Sequence, residues 1–340
     1  MQRAATRVVV AISIIACLLM VSPAPGTAKT VVIKLATLAP EGSSWIETFN
    51  AINAEIEQKT AGQVRCKFYA GGVLGDEKDM LRKMHIGQIH AAALTSAGLS
   101  AIFNEMDVFQ VPFLFESHEE VDFVLTQMDA FFRKGFEDNQ YVLLGWSEAG
   151  FVRLMSTQPV ATLADLRKLK VWTWEDAPMT RIIFDEARIS AIPLSVPDVL
   201  VGLQTGLVDV VYAPPSGAIS LQWFTRIRHI TDVNLIYLIG AVVIKKKVFS
   251  NISPDHQKIL MDVWRRQMGQ LKQKIRNENQ EAMQVMVKQG IKIITPSPDQ
   301  VSEFKQVSAK AIQRLEGETF SQKVLDEVTA HIQTHRRKNQ

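Results

Sequence analysis

Lys170, Trp172 and Trp174 are spaced by two, and in an extended strand that period sets all three on one face. Neighbouring indoles offer a flat, polarisable surface to a ring, a sugar face, an organic cation or a lipid-like chain, and serve equally well as core packing. Arg153 can pair with a carboxylate, whether a ligand's or one of the protein's own. Glu148, Glu175 and Asp176 are its candidate partners, or acceptors for donors on a ligand. Thr95 and Ser96 follow a strand end and can donate hydrogen bonds. Ser44 and Trp45 come after the first strand, where α/β proteins commonly receive ligands, although Trp45 also suits a helix anchor. Reaction chemistry has no recognisable motif: the chain lacks His-Glu-x-x-His, Gly-x-Ser-x-Gly and any Cys/His metal spacing, and His85 and His90 stand five apart. The Gly71 to Gly75 loop reads as a turn, because its glycines do not follow phosphate-loop spacing. The expectation is a binding protein without catalysis, cofactor or metal.

The elements that position these residues alternate. Val31 to Ala36 is a short strand, after which Trp45, Phe49, Ile52 and Ile56 recur at helical spacing until Gly62. Val64 to Tyr69 alternates as a second strand, Asp76 to His85 carries Met80, Leu81 and Met84 on one side of a helix, and Ile89 to Leu94 is a third strand. This β-α-β-α-β order implies a parallel sheet flanked by helices. A second unit with the same grammar begins near Phe151: a turn at Asp165-Leu166-Arg167, a strand over 170–174, helices over 179–187 and 198–206, and a strand over 208–212. Ser253-Pro254-Asp255 is a strong helix start, and Ile259, Leu260, Val263, Trp264, Met268, Leu271 and Ile275 sustain its apolar stripe with no proline or glycine interrupting before Gly290, apart from Gly269. Such a helix is about 50 Å long, more than one small domain needs.

Arg3 and Arg7 lead into an apolar run from Val8 to Val21, and Ser22, Pro23, Pro25 and Gly26-Thr27-Ala28 follow it. That is the order of a secretory signal cleaved near Ala28. The run is shorter than the roughly 20 residues that span a bilayer. Ile14-Ile15-Ala16-Cys17 faintly resembles a lipoprotein box, but Leu18 to Val21 continue the apolar segment past the cysteine, which favours plain cleavage. The whole chain has 38 basic and 35 acidic residues, and removing Arg3 and Arg7 leaves 36 against 35. Near-neutrality argues against nucleic acid, and His335-Arg336-Arg337-Lys338 reads as a solvated tail. Cys66 is the one cysteine left, a buried small hydrophobe in its strand.

Taken in order, four stretches carry a family resemblance: Gly71-Gly72-Val73-Leu74-Gly75-Asp76-Glu77 with Met80-Leu81; Val111-Pro112-Phe113-Leu114-Phe115; Asp165 to Val171; and Pro193 to Val199 running into Leu203-Gln204-Thr205-Gly206-Leu207-Val208-Asp209. Together they resemble the solute-binding receptors of tripartite ATP-independent periplasmic (TRAP) transporters, the DctP family. The resemblance implies an α/β, two-lobe periplasmic-binding-protein fold with a ligand cleft between lobes and a long spanning helix. Its expected division is a signal peptide over 1–28, lobe I from 30–150 with 240–278, and lobe II from 151–239 with 279–340. It further implies a periplasmic, monomeric or weakly associating receptor that hands a small molecule to TRAP membrane subunits. The same fold also serves sensory or lipid-binding receptors, the alternative reading.

In that family a guanidinium after the Asp-Leu-x-x-Leu-Lys turn pairs with a ligand carboxylate. Trp172 occupies that position here. A second family arginine, two residues past the glycine matching Gly150, is replaced by Val152, with Arg153 one place later, and Val211-Tyr212-Ala213-Pro214 replaces the family's asparagine-bearing segment. The resemblance directs Trp172 into the cleft, where Trp174, Tyr212 and Trp223 would complete an aromatic wall. The ligand expected is aromatic, apolar or weakly acidic rather than a dicarboxylate.

Overall fold

A computed structural model describes residues 30–174, 178–315 and 319–339. The signal segment, Glu175 and Asp176 lie outside these residues. β1 (Val31–Thr37) leads to α1 (Ser44–Lys59), which buries Ile46, Phe49, Ile52 and Ile56 at three- and four-residue spacing. β2 (Val64–Tyr69) turns Val64 and Cys66 inward and Arg65 and Lys67 outward, the alternation of a strand with one covered face. Burial pushes the Cys66 thiol up to about 12. α2 (Glu77–His85) is capped by Asp76, whose side chain accepts from the Glu77 N–H. β3 (Ala91–Thr95) runs directly into the one-turn α3 (Ser96–Ser100), and after it come α4 (His118–Asp138), capped by Ser117, and β4 (Tyr141–Phe151).

The second unit holds β5 (Arg153–Ser156), α5 (Leu163–Leu166), β6 (Val171–Thr173), α6 (Pro178–Ala187), β7 (Ala191–Pro193), α7 (Val199–Thr205), β8 (Val210–Ala213), α8 (Pro215–Ser220) and β9 (His229–Thr231). Thr162 and Asp165 form a reciprocal capping box on α5, which fixes the turn that feeds β6. The chain then returns through β10 (Tyr237–Lys245) and α9 (Lys246–Ser250) into α10 (Pro254–Lys288), and ends with β11 (Lys292–Ile294), α11 (Pro298–Leu315) and α12 (Gln322–Lys338).

Two sheets result, one ordered β2-β1-β3-β10-β4 and the other β11-β9-β5-β8-β6-β7. Both are mixed rather than parallel as the β-α-β pattern implies. β10 runs antiparallel to β3 and β4, and β5 runs antiparallel to β8 and β9. The reason is the connection between lobes. β4 continues into β5 through Val152, β10 returns alongside it, and the Val152 N–H donates to the Ile236 carbonyl while the Leu235 N–H donates to the Val152 carbonyl. A pair of strands that crosses and comes back must be antiparallel.

α10 is the third link between the lobes. Its Leu260, Val263, Trp264, Met268, Leu271 and Ile275 belong to the core between α1 and the first sheet, whereas Met286 belongs to the core of the second sheet. One continuous helix of 35 residues thus serves both lobes. The last helix departs from the expected division. Val324, Val328 and Ile332 of α12 pack in the first lobe's core with Val121 and Val124 of α4, and Arg336 bonds Glu120, so the chain's end rejoins the first lobe.

Candidate functional site

The cleft lies where the C-terminal ends of parallel strands from both sheets meet, the position at which open α/β sheets leave a crevice. β1 supplies Thr37 and the Leu38 to Pro40 turn, β3 supplies Thr95, β6 leads to Trp174 and β8 to Ala213 and Pro214. Ser44 and Trp45 from the start of α1 and Ile275 and Glu278 from α10 complete the wall. The space enclosed, counted out to its mouth, is about 1000 Å³. That is ample for a small solute.

Of the residues the sequence singles out, Trp45, Thr95, Trp172, Trp174, Tyr212 and Trp223 line this cleft. Trp172 lies 4.8 Å from Trp174, 5.0 Å from Tyr212 and 5.2 Å from Trp223 between ring centroids. Its indole N–H donates to the Leu194 carbonyl at 2.9 Å, and the side chain is fully buried. Trp172 therefore forms the back of the wall, and the half-buried Trp174 in front of it keeps an indole N–H with no partner among the described residues. From the opposite lobe, the Trp45 ring lies against Gly240, where an added Cβ would come within 2.8 Å of the indole. Any larger residue at position 240 would displace that ring.

Three expected residues fall outside the wall. Arg153 does not line the cleft; its guanidinium pairs with Asp232, the residue that follows β9. Glu148 faces the opposite side of its strand, where Arg276 grips it through two bonds of 2.8 Å and His118 approaches at 3.4 Å. Burial would raise the Glu148 carboxyl, but His118, Arg276 and Tyr237 hold it below its ordinary value. The Ser96 hydroxyl is buried and accepts from the Ile239 N–H, fixing α3 to β10.

Two acids that sequence reasoning missed do line the cleft. Glu77 is buried and accepts from the Thr95 N–H, the Thr95 hydroxyl and the Gly98 N–H, yet burial still lifts its carboxyl to about 7. Glu278 accepts a bond from the Ser44 hydroxyl and pairs with no cation among the described residues. The available signal was spacing: Glu278 follows Ile275 by three on the stripe of α10, and Glu77 ends the Gly71 to Glu77 stretch. Among the described residues lining the cleft there is no lysine, arginine or histidine. No group of His, Cys, Asp and Glu among the described residues could hold a metal ion.

The lobes also touch at the rim. Asp76 caps α2 with one oxygen and with the other accepts from the Val196 N–H of the second lobe at 2.9 Å. Gly72, at φ +69°, lies so close to Pro197 that a Cβ would come within 2.9 Å of its ring. The glycine loop is a contact between lobes, not an anion cradle.

Residues 35–318 match the family described as bacterial extracellular solute-binding protein, family 7, DctP. The chain is 26% identical over 251 residues to the 2,3-diketo-L-gulonate-binding periplasmic protein YiaO of Escherichia coli K12, covering 72% of this chain and 74% of that protein. It is 23% identical over 272 residues to the C4-dicarboxylate-binding periplasmic protein DctP of Rhodobacter capsulatus, covering 78% and 80%. Among solved structures, the sugar acid binding protein DctPAm of Advenella mimigardefordensis, in complex with galactonate, superposes with a TM-score of 0.84 at 17% identity over 90% of this chain and 99% of that one. A TRAP periplasmic solute binding protein of Xanthobacter autotrophicus with bound β-D-galacturonate gives 0.82 at 18% identity, over 88% and 99%. With matched segments running from the first strand to beyond α11, the chain belongs to the bacterial extracellular solute-binding proteins of family 7, the DctP family of TRAP receptors.

Proposed function

We propose that this protein is a periplasmic receptor that closes on a small solute and delivers it to the membrane subunits of a TRAP transporter. The observation that carries the reading is a cleft walled by both lobes, which are linked by the crossing strands at 151–153 and 235–238 and by the helix α10. A ligand that touches Trp45 in one lobe and Trp174 in the other stabilises the closed arrangement more than the open one, and that difference alone shifts the population. Closure then offers the membrane subunits a surface that the open form lacks. The family relationship supports the transporter partner, and the apolar segment over 8–21 supports export.

The solute rests on an aromatic wall rather than on an arginine clamp. A charged hydrogen bond is worth roughly 1.5 to 3 kcal/mol, and a carboxylate buried without its partner costs several more. The acids carried by the relatives' names therefore do not transfer to this cleft. Native mass spectrometry of mature protein prepared from the periplasm should detect a bound small molecule, and small-angle scattering should show expansion after that molecule is stripped by unfolding and refolding. Equal radii for the loaded and stripped forms would refute the receptor reading.

A further inference from the structure

Resting on that receptor reading, we infer that the solute is a small organic ammonium ion, held between Trp45 and Trp174 with its charge toward Glu278. Three independent features of the cleft converge on this chemistry. The first is the sign of its charge. The described lining contributes two carboxyl groups and no base, so an acid would enter a site with like charge and nothing to neutralise it. The second is that the two carboxyls are not equivalent. Glu77 is saturated by three donors from Thr95 and Gly98, which makes it part of the wall. Glu278 receives only the Ser44 hydroxyl, on Oε1, and its Oε2 has no partner among the described residues. That oxygen is open to an N–H donor or to a methylated cation.

The third is the aromatic surroundings. Trp45 comes from the first lobe, Trp174 from the second, and Trp223 and Tyr212 back the second through Trp172. Indole faces attract a cation through the ring quadrupole, most strongly where water is excluded. A neutral sugar could stack on the rings and donate hydroxyls to Glu278, but it would leave the carboxylate's charge uncompensated. An ammonium ion satisfies rings and carboxylate together. Because the rings belong to different lobes, cation binding would also couple directly to closure.

The test uses mature protein stripped of endogenous solute and calorimetry with tetramethylammonium, choline, the neutral choline isostere 3,3-dimethylbutan-1-ol, succinate and glucuronate. At least one cation is expected to bind, with the isostere about tenfold weaker or worse than choline and the acids inert, the scale of a lost charge-assisted contact. Glu278→Gln should weaken the cation by about tenfold while leaving the isostere's affinity unchanged. A melting curve on the same variant shows that it is folded. Binding by neither cation, equal affinity for choline and its isostere, or a Glu278→Gln variant with wild-type cation affinity each overturns the inference. Tight binding of succinate or glucuronate with compaction would overturn it too, while leaving the receptor reading intact; absence of compaction with any bound compound defeats the receptor reading instead.

Discussion

Trp172 and Trp174 sit two residues apart and are expected to answer mutation differently. Trp172 is fully buried and hydrogen-bonded to Leu194, so Trp172→Ala should cost about 3 to 5 kcal/mol of folding stability and reduce affinity by loosening the wall. Trp174 is only half buried, and Trp174→Ala should instead lose about 1.5 to 3 kcal/mol of ligand binding with a smaller change in melting temperature. Thermal melts and calorimetry on both variants separate the roles; equal stability losses would place Trp174 in the core as well. Glu77 gives a pH test. Its carboxyl is raised to about 7 by burial from an ordinary value of 4.5, so the folded state holds a proton that the unfolded chain releases earlier. Stability should fall as pH rises from about 4.5 to 7, by up to about 3 kcal/mol from this group, and Glu77→Gln should flatten that slope in urea unfolding. Asp107, raised to about 6 by burial, has the same sign and remains in the variant. The aromatic residues were legible because their positions follow fixed turns and motifs. Glu77 and Glu278 were not, because spacing places each on its own element but does not say which of many acids from distant elements share a cavity.

The element whose sequence speaks most plainly is α10. Its serine cap, proline at the first turn and unbroken apolar stripe predict a helix from Pro254 to near Gly290, and it spans Pro254–Lys288. The polar side of the same helix is opaque in sequence. Arg276 reaches both Glu148 of β4 and Asp122 of α4 with bonds of 2.8 to 3.0 Å, and Asn279 donates to the Ala149 carbonyl while accepting from the Ser216 N–H. These partners depend on how three elements pack, which no single-segment pattern contains. Arg276→Ala should destabilise the protein by about 3 to 5 kcal/mol, because it leaves Glu148 buried with a charge and without its main counter-ion. The wild-type carboxyl is held below its ordinary value, so its contribution is present at neutral pH and is lost as pH falls below the carboxylate range. Denaturant unfolding at pH 7 and pH 3.5 should show the variant's deficit shrinking at the lower pH; a deficit that is the same at both would remove the ion pair as its cause.

Across the whole molecule, the two β-α-β units and the spanning helix are readable from periodicity, whereas the antiparallel crossing of β4 and β10 and the return of α12 to the first lobe are not. Those features are set by register and packing between segments far apart in the chain. Closure is where this long-range organisation becomes measurable. The two lobes are joined at the rim by Asp76, which divides its two oxygens between capping α2 and accepting from Val196 across the cleft. Asp76→Asn keeps the size of the side chain but has one oxygen, and its amide nitrogen faces an N–H donor at whichever of the two places the oxygen is not. If the oxygen stays on the cap, the bond between lobes is lost, and a charge-assisted bond is worth roughly 1.5 to 3 kcal/mol. Solute affinity should fall by about that amount, and scattering at saturating solute should still report the compact form, since the ligand contacts to both lobes survive. If the oxygen stays on the rim, affinity is unchanged and the loss appears as a lower melting temperature, because an uncapped helix costs about 1 kcal/mol. Measuring both on the one variant assigns the bond that matters, and a variant equal to wild type in affinity and in melting temperature would show that the rim contact contributes nothing to closure.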